Sequence, residues 1–150
     1  MYNTTYKELA DSVFSKIKDL DLAQLQEDIA YQIVIGYIKP ACVKFQSCNG
    51  QDLSNRDEEL QEFNFKLNDE NFEIISEYMV VQWLDNQILT TNNLKARLTS
   101  SDFKSLGLPQ QLSKLEELRE RYKSENDQLA INKSYKHSKL FDIVKKRKRV

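Results

Sequence analysis

The stretch Asn68–Leu89, NDENFEIISEYMVVQWLDNQIL, constrains this chain most. It holds the single tryptophan, Trp83, and the longest run of large apolar residues. Phe72, Ile75, Met79 and Trp83 recur at three- and four-residue spacing, the period of one helix face. Ile74, Tyr78, Val81 and Leu84 fill the adjacent stripe. A helix apolar over that much of its circumference is stable only when several partners cover it. Asn68 is suited to cap its start, because a short side-chain oxygen accepts from the free amides of a first turn. Asp69, Glu70 and Glu73 follow where the helix dipole favours negative charge. The stretch therefore reads as the buried central helix of the fold.

The rest of the chain has few breakers. Three glycines and two prolines in 150 residues favour helix over a many-stranded sheet. Thr5-Tyr6-Lys7-Glu8 fits a capping box and opens a first helix, with Leu9, Val13 and Ile17 on one side and Phe14 beside them. That helix is expected to end near Lys18, and Asp21 to cap a short second turn with Leu22 and Leu25 inward. A further helix is expected from Asp28 to Gln46, kinked at Pro40, where a donor is lost and the ring meets the preceding turn. Residues 47–57 read as a loop, with Asn49-Gly50 as its turn signal.

Phe63-Asn64-Phe65-Lys66-Leu67 alternates with period two and predicts a short extended segment. It is expected to pack flat on the bundle or to pair with a neighbouring subunit. Thr90 to Asn93 is helix-poor and should end the central helix, leaving Leu94–Leu98 as a separate turn and Thr99–Lys104 as a connector anchored by Phe103. Pro109 suits the first turn of a last helix, which runs to about Asn132. Leu112, Leu115, Leu118, Tyr122 and Leu129 form its apolar stripe.

The expected fold class is all-α: a helical bundle of four to five helices, with a short extended segment at 63–67 and a C-terminal extension. The division is a helical domain, 1–132, and a basic tail, 133–150. The expected core includes Phe72, Ile75, Met79, Trp83, Leu112 and Leu115.

Net charge is −1, but it is unevenly spread. Residues 133–150 carry eight Lys or Arg against one acid, and residues 1–132 carry 14 basic against 22 acidic residues. The body is thus acidic and the end basic, a pattern that points to an interaction tail. Within it, Tyr135, Leu140, Phe141, Ile143 and Val144 lie among cations, and Lys145, Lys146, Arg147, Lys148 and Arg149 follow. Cations alone would suit phosphate neutralisation. Four large apolar residues in five positions favour docking on a protein surface instead.

Little in the sequence supports catalysis. It has no Gly-rich phosphate loop, no helical His pair and no Gly-x-Ser-x-Gly elbow. His137 is the one histidine, so Cys42 and Cys48 lack company for a zinc site and read as reduced thiols. The acids from Asp52 to Glu77 do not follow calcium-loop spacing. No catalytic, cofactor or metal site is expected. No apolar run nears the roughly 18 residues that span a bilayer, so no membrane contact is expected either. The polar start, MYNTTYKELADS, does not read as a signal peptide.

The run FNFKLNDENFEIISEYMVVQWL, then NLKARL, SSDFK and a long Leu-rich charged helix, resembles the head–tail connector (adaptor, or neck) proteins of tailed phages of low-GC Gram-positive bacteria. The resemblance covers Phe63 to Tyr122 and is one of pattern. It implies an all-helical subunit in a ring, commonly dodecameric, beneath the portal. It further implies a C-terminal segment that docks on the portal, a tail-completion or stopper protein below, and a lumen that passes the genome. The place implied is the virion neck, assembled in the host cytoplasm, with contact to packaged DNA open to the basic end. The alternative is a nucleic-acid-binding accessory protein that uses Lys145–Arg149.

Overall fold

The computed structural model describes residues 2–17, 27–45 and 50–137. The expected turn at Asp21, with Leu22 and Leu25, lies outside these residues. So do Asn49 and the tail residues Leu140, Phe141, Ile143, Val144, Lys145, Lys146, Arg147, Lys148 and Arg149.

The order of elements is α1 (Tyr6–Lys16), α2 (Glu27–Ile35), α3 (Ile38–Lys44), β1 (Arg56–Asp57), β2 (Glu62–Phe63), α4 (Asp69–Arg97), α5 (Ser100–Ser105) and α6 (Leu108–His137). The fold is all-α with one small antiparallel hairpin, in which Arg56 pairs with Phe63 and Asp57 with Glu62. No described helix is long and apolar enough to cross a membrane.

The first helix begins as its sequence dictates. Thr5 accepts from the Glu8 amide at 3.3 Å, and the Glu8 carboxylate accepts from the Thr5 amide at 2.7 Å. Two orphan donors are satisfied reciprocally. Tyr6, Leu9, Ala10 and Val13 are its buried face.

Helices α2 and α3 break at Gly36–Tyr37, not at Pro40. Pro40 is the third residue of α3. There a backbone N–H has no intrahelical partner, so its absence costs nothing and the ring has no preceding turn to strike.

Asn68 caps α4, accepting from the Asn71 amide at 2.8 Å. The helix then runs unbroken for 29 residues, straight through Thr90–Asn93. The expected stop fails because Thr90 and Thr91 donate back to the carbonyls of Asn86 and Gln87, each at 2.9 Å. That bond lets a hydroxyl sit within a helix. Thr91 is also buried, and packing overrides weak propensity. Thr99 then caps α5, accepting from the Asp102 amide at 3.1 Å. Gly107, at φ +68°, turns the chain into α6 through a left-handed conformation open to glycine without steric cost.

Helices α4 and α6 form an antiparallel pair, and their interface is the most extensive in the fold. Asn71 meets Lys133, Ile74 meets Asn126, Tyr78 meets Asp127, and Asp85 meets Arg119. Helices α1 and α3 cover other sides of α4, so Ile74, Ile75, Tyr78, Met79, Val80, Val81, Trp83 and Leu84 are all buried. Phe72 is half-buried against this core.

On α6, Leu115 is buried, and Leu118, Tyr122 and Ala130 pack against the core. Leu112 is half-buried outside it, and Leu129 is 48% exposed. The expected stripe is wrong beyond Tyr122. Apart from the small Ala130, the inward positions there are polar, Asn126 and Lys133, at 0% and 4% exposure. The expected division at 132/133 also falls inside α6, which continues to His137.

Phe63–Leu67 packs on the bundle as expected, with Phe63 and Leu67 buried in its core. It also pairs with its own N-terminal segment. The Phe63 amide donates to the Thr4 carbonyl at 2.9 Å, and the Thr4 amide to the Phe65 carbonyl at 3.1 Å. Phe63 is fully buried, edge-on to Tyr6 with ring centroids 5.7 Å apart.

Candidate functional site

Polar and acidic side chains converge where α4 begins and α6 ends. Gln51, in the loop before β1, accepts from the Asn68 amide at 3.0 Å and from Asn71 Nδ2 at 2.8 Å. Its own Nε2 donates to the Lys66 carbonyl at 2.8 Å. A single side chain thus ties the loop, the extended segment and the helix start together. Asn71 is fully buried, and its Oδ1 accepts from Lys133 Nζ. Lys133 Nζ also donates to Asn68 Oδ1 at 3.2 Å and stands 3.5 Å from Glu70 Oε2. Burying a lysine is costly unless its charge is paired and its protons are bonded, and both conditions are met.

Beside this network α1 contributes Lys16. Its ammonium contacts the carboxylates of Glu73 and Glu77, one turn apart on α4. Burial opposes charge on Lys16, but the bonds to Glu73 and Glu77 outweigh it and raise its pKa. Burial also holds the Glu77 carboxyl above the usual carboxylate range, against the pull of Lys16.

The outer surface of this region is a groove of about 640 Å³. Asp69, Glu70 and Glu73 line it from α4, and Leu129, Asn132, Lys133 and Tyr135 from α6, with Ile74 at its base. Three carboxylates on one side and an apolar floor suit a ligand with both cations and apolar groups. Tyr135, expected in the docking tail, is a groove-lining residue of α6 and is 64% exposed.

A smaller cavity of about 310 Å³ lies by Cys42, Leu53 and Arg56. Burial pushes the Cys42 thiol up to about 11, so it is a protonated core residue and not an activated nucleophile. Among the described residues, no cluster of His, Cys, Asp and Glu has the makings of a metal site. Several acids have local structural work. Asp57 accepts from the amides of Glu59 and Leu60, and Asp52 from the amide and hydroxyl of Ser54.

Sequence reasoning missed Gln51, Asn71, Asn126 and Lys133. One signal was available for the last three: they continue the inward period of α4 and α6, but as polar residues they drop out of an apolar count. No protein-family model, curated protein or solved structure matches the chain.

Proposed function

We propose that this chain is a structural virion protein, the head–tail connector of a tailed phage, acting by assembly and not by catalysis. The supporting observation is that the run carrying the resemblance, Phe63 to Tyr122, coincides with one continuous unit: β2, α4, α5 and the first half of α6. A connector needs a rigid helical body that survives ring closure. The α4–α6 pair supplies one, with polar cross-links at Asn71–Lys133 and Asp85–Arg119 along its length. In this role subunits associate side by side beneath the portal, the basic end from Ser134 to Val150 docks on the portal, and a stopper protein binds below. The location is the virion neck.

The test mixes the full-length protein with the portal protein of the same genome and examines the product by electron microscopy. A ring seated on the portal is expected, and it should be lost when residues 134–150 are deleted. A ring unchanged by that deletion would sink the docking role. The second reading, a nucleic-acid-binding accessory protein, is favoured by the concentration of eight cations in residues 133–150. Salt-sensitive DNA binding without any portal complex would select it.

A further inference from the structure

The groove between the start of α4 and the end of α6 has a chemistry that matches one segment of this same chain. The carboxylates of Asp69, Glu70 and Glu73 line it, and Glu77, one turn beyond Glu73, shares Lys16 with Glu73. Among the described residues, two ammonium groups face them, Lys16 from α1 and Lys133 from α6. The cluster is therefore net negative. Glu70 and Glu73 keep 59% and 48% of their side-chain surface exposed, so they can take further cations. The floor is apolar, from Ile74, Leu129 and Tyr135.

Residues 138–150, SKLFDIVKKRKRV, carry the complement: Leu140, Phe141, Ile143 and Val144, then five consecutive cations. They start directly after His137, the last residue of α6, and Tyr135 already lines the groove. From Tyr135 back to Leu129 is about 9 Å of helix, at 1.5 Å per residue. Leu140 to Val144 in extended form covers about 17 Å, enough to lie along that floor. Lys145 and its neighbours then remain within reach of Asp69, Glu70 and Glu73. A segment joined by so short a link competes at an effective concentration of order millimolar, above that of another molecule's tail in dilute solution.

We infer that residues 138–150 fold back on their own subunit and occupy this groove, apolar residues on Ile74, Leu129 and Tyr135, and cations on the acids of α4. The contact belongs to the free subunit and requires neither ring nor portal; docking of the same segment on a portal would displace it, so a test on the isolated protein stands or falls apart from the connector reading.

The test uses the full-length protein alone at low micromolar concentration. A zero-length carbodiimide cross-linker is applied, the monomer is isolated, and its links are located by mass spectrometry. Amide links from Asp69, Glu70 or Glu73 to Lys145, Lys146 or Lys148 are expected within the monomer. They should be lost when Leu140, Phe141, Ile143 and Val144 are all replaced by Ser, which keeps every lysine. Leu129→Ser, at an exposed position of the groove, should weaken the same links from the other side, and circular dichroism checks that both variants stay folded. Links found only in a dimer would assign the groove to a second copy and overturn the inference. Links that persist in the Ser variant would reduce the contact to charge alone, and no links at all would dismiss it.

Discussion

Lys133, near the end of α6, donates to Asn71, in the first turn of α4, across 62 positions of sequence. Both side chains are buried. The bond fixes the register of the antiparallel pair at one end, as Arg119 Nε on Asp85 Oδ1 does further along at 2.8 Å.

Replacing Lys133 by Met keeps most of its volume but strips Asn71 Oδ1 of its donor. A buried acceptor left without a partner costs about 1–3 kcal/mol. Urea unfolding of Lys133→Met should show a loss of that size. Combined with Asn71→Ala, the loss should be smaller than the sum of the two by at least about 0.5 kcal/mol, because they share one interaction.

Trp83 is 3% exposed within the core. Trp83→Ala should cost about 3–5 kcal/mol, through lost burial and the cavity left behind. The indole Nε1 is buried and has no hydrogen-bond partner among the described residues. Trp83→Phe removes that unsatisfied donor and keeps a ring, so the relief offsets part of the lost packing. It should cost less than about 2 kcal/mol. Equal losses in the two variants, measured by denaturant unfolding, would contradict this account.

Thr4 joins the N-terminal segment to the start of the central helix. It is 4% exposed, and its Oγ1 accepts from the Leu67 amide at 2.9 Å. Thr4→Val has nearly the same shape but no acceptor, and it leaves that buried amide unpaired. A loss of about 1–3 kcal/mol is expected. Hydrogen exchange at Leu67 should accelerate with it, while exchange at the middle of α4 should follow only the change in global stability.

The central helix was legible because apolar side chains report burial directly. Phe72, Ile75, Met79 and Trp83 share a helical period, and three of the four are buried. The capping residues Thr5 and Asn68 were also visible in the sequence, since a cap depends on neighbours three positions away; Thr99, read as the start of a connector, proved to be a third cap. The polar half of the α4–α6 interface was not. Lys133 reads as part of a basic tail until Asn71 is seen opposite it. Only the fold brings the two together. The same holds for Phe63–Leu67: its period is local, but its partner, Thr4, lies about sixty residues away. The run from Thr90 to Asn93 misled for the opposite reason. Its propensity is weak, but packing carries α4 through it. The groove of acids and apolar residues needs both helices and has no signature on either one alone.

Stability should fall steeply in alkali. Burial pushes the Cys42 thiol up to about 11. Burial, with the nearby Asp127 carboxylate, pushes the Tyr78 phenol up to about 12. Burial likewise raises Tyr6, and the bonds to Glu73 and Glu77 raise Lys16. In every case the folded chain holds a proton that the unfolded chain releases at lower pH. Such groups contribute their stability fully below their unfolded values, 9.0 for the thiol and 10.0 for the phenols. The contribution is lost as pH rises through the folded values, because the free energy of unfolding falls wherever the native state binds more protons. Denaturant titrations should therefore show nearly constant stability from these groups between pH 7 and pH 8.5 and a progressive fall above about pH 9. Cys42→Ala, which has no thiol to ionise, should flatten the first part of that fall, from pH 9 to about pH 11. An unchanged slope in that variant would mean that Cys42 ionises as readily in the folded chain as in the unfolded one.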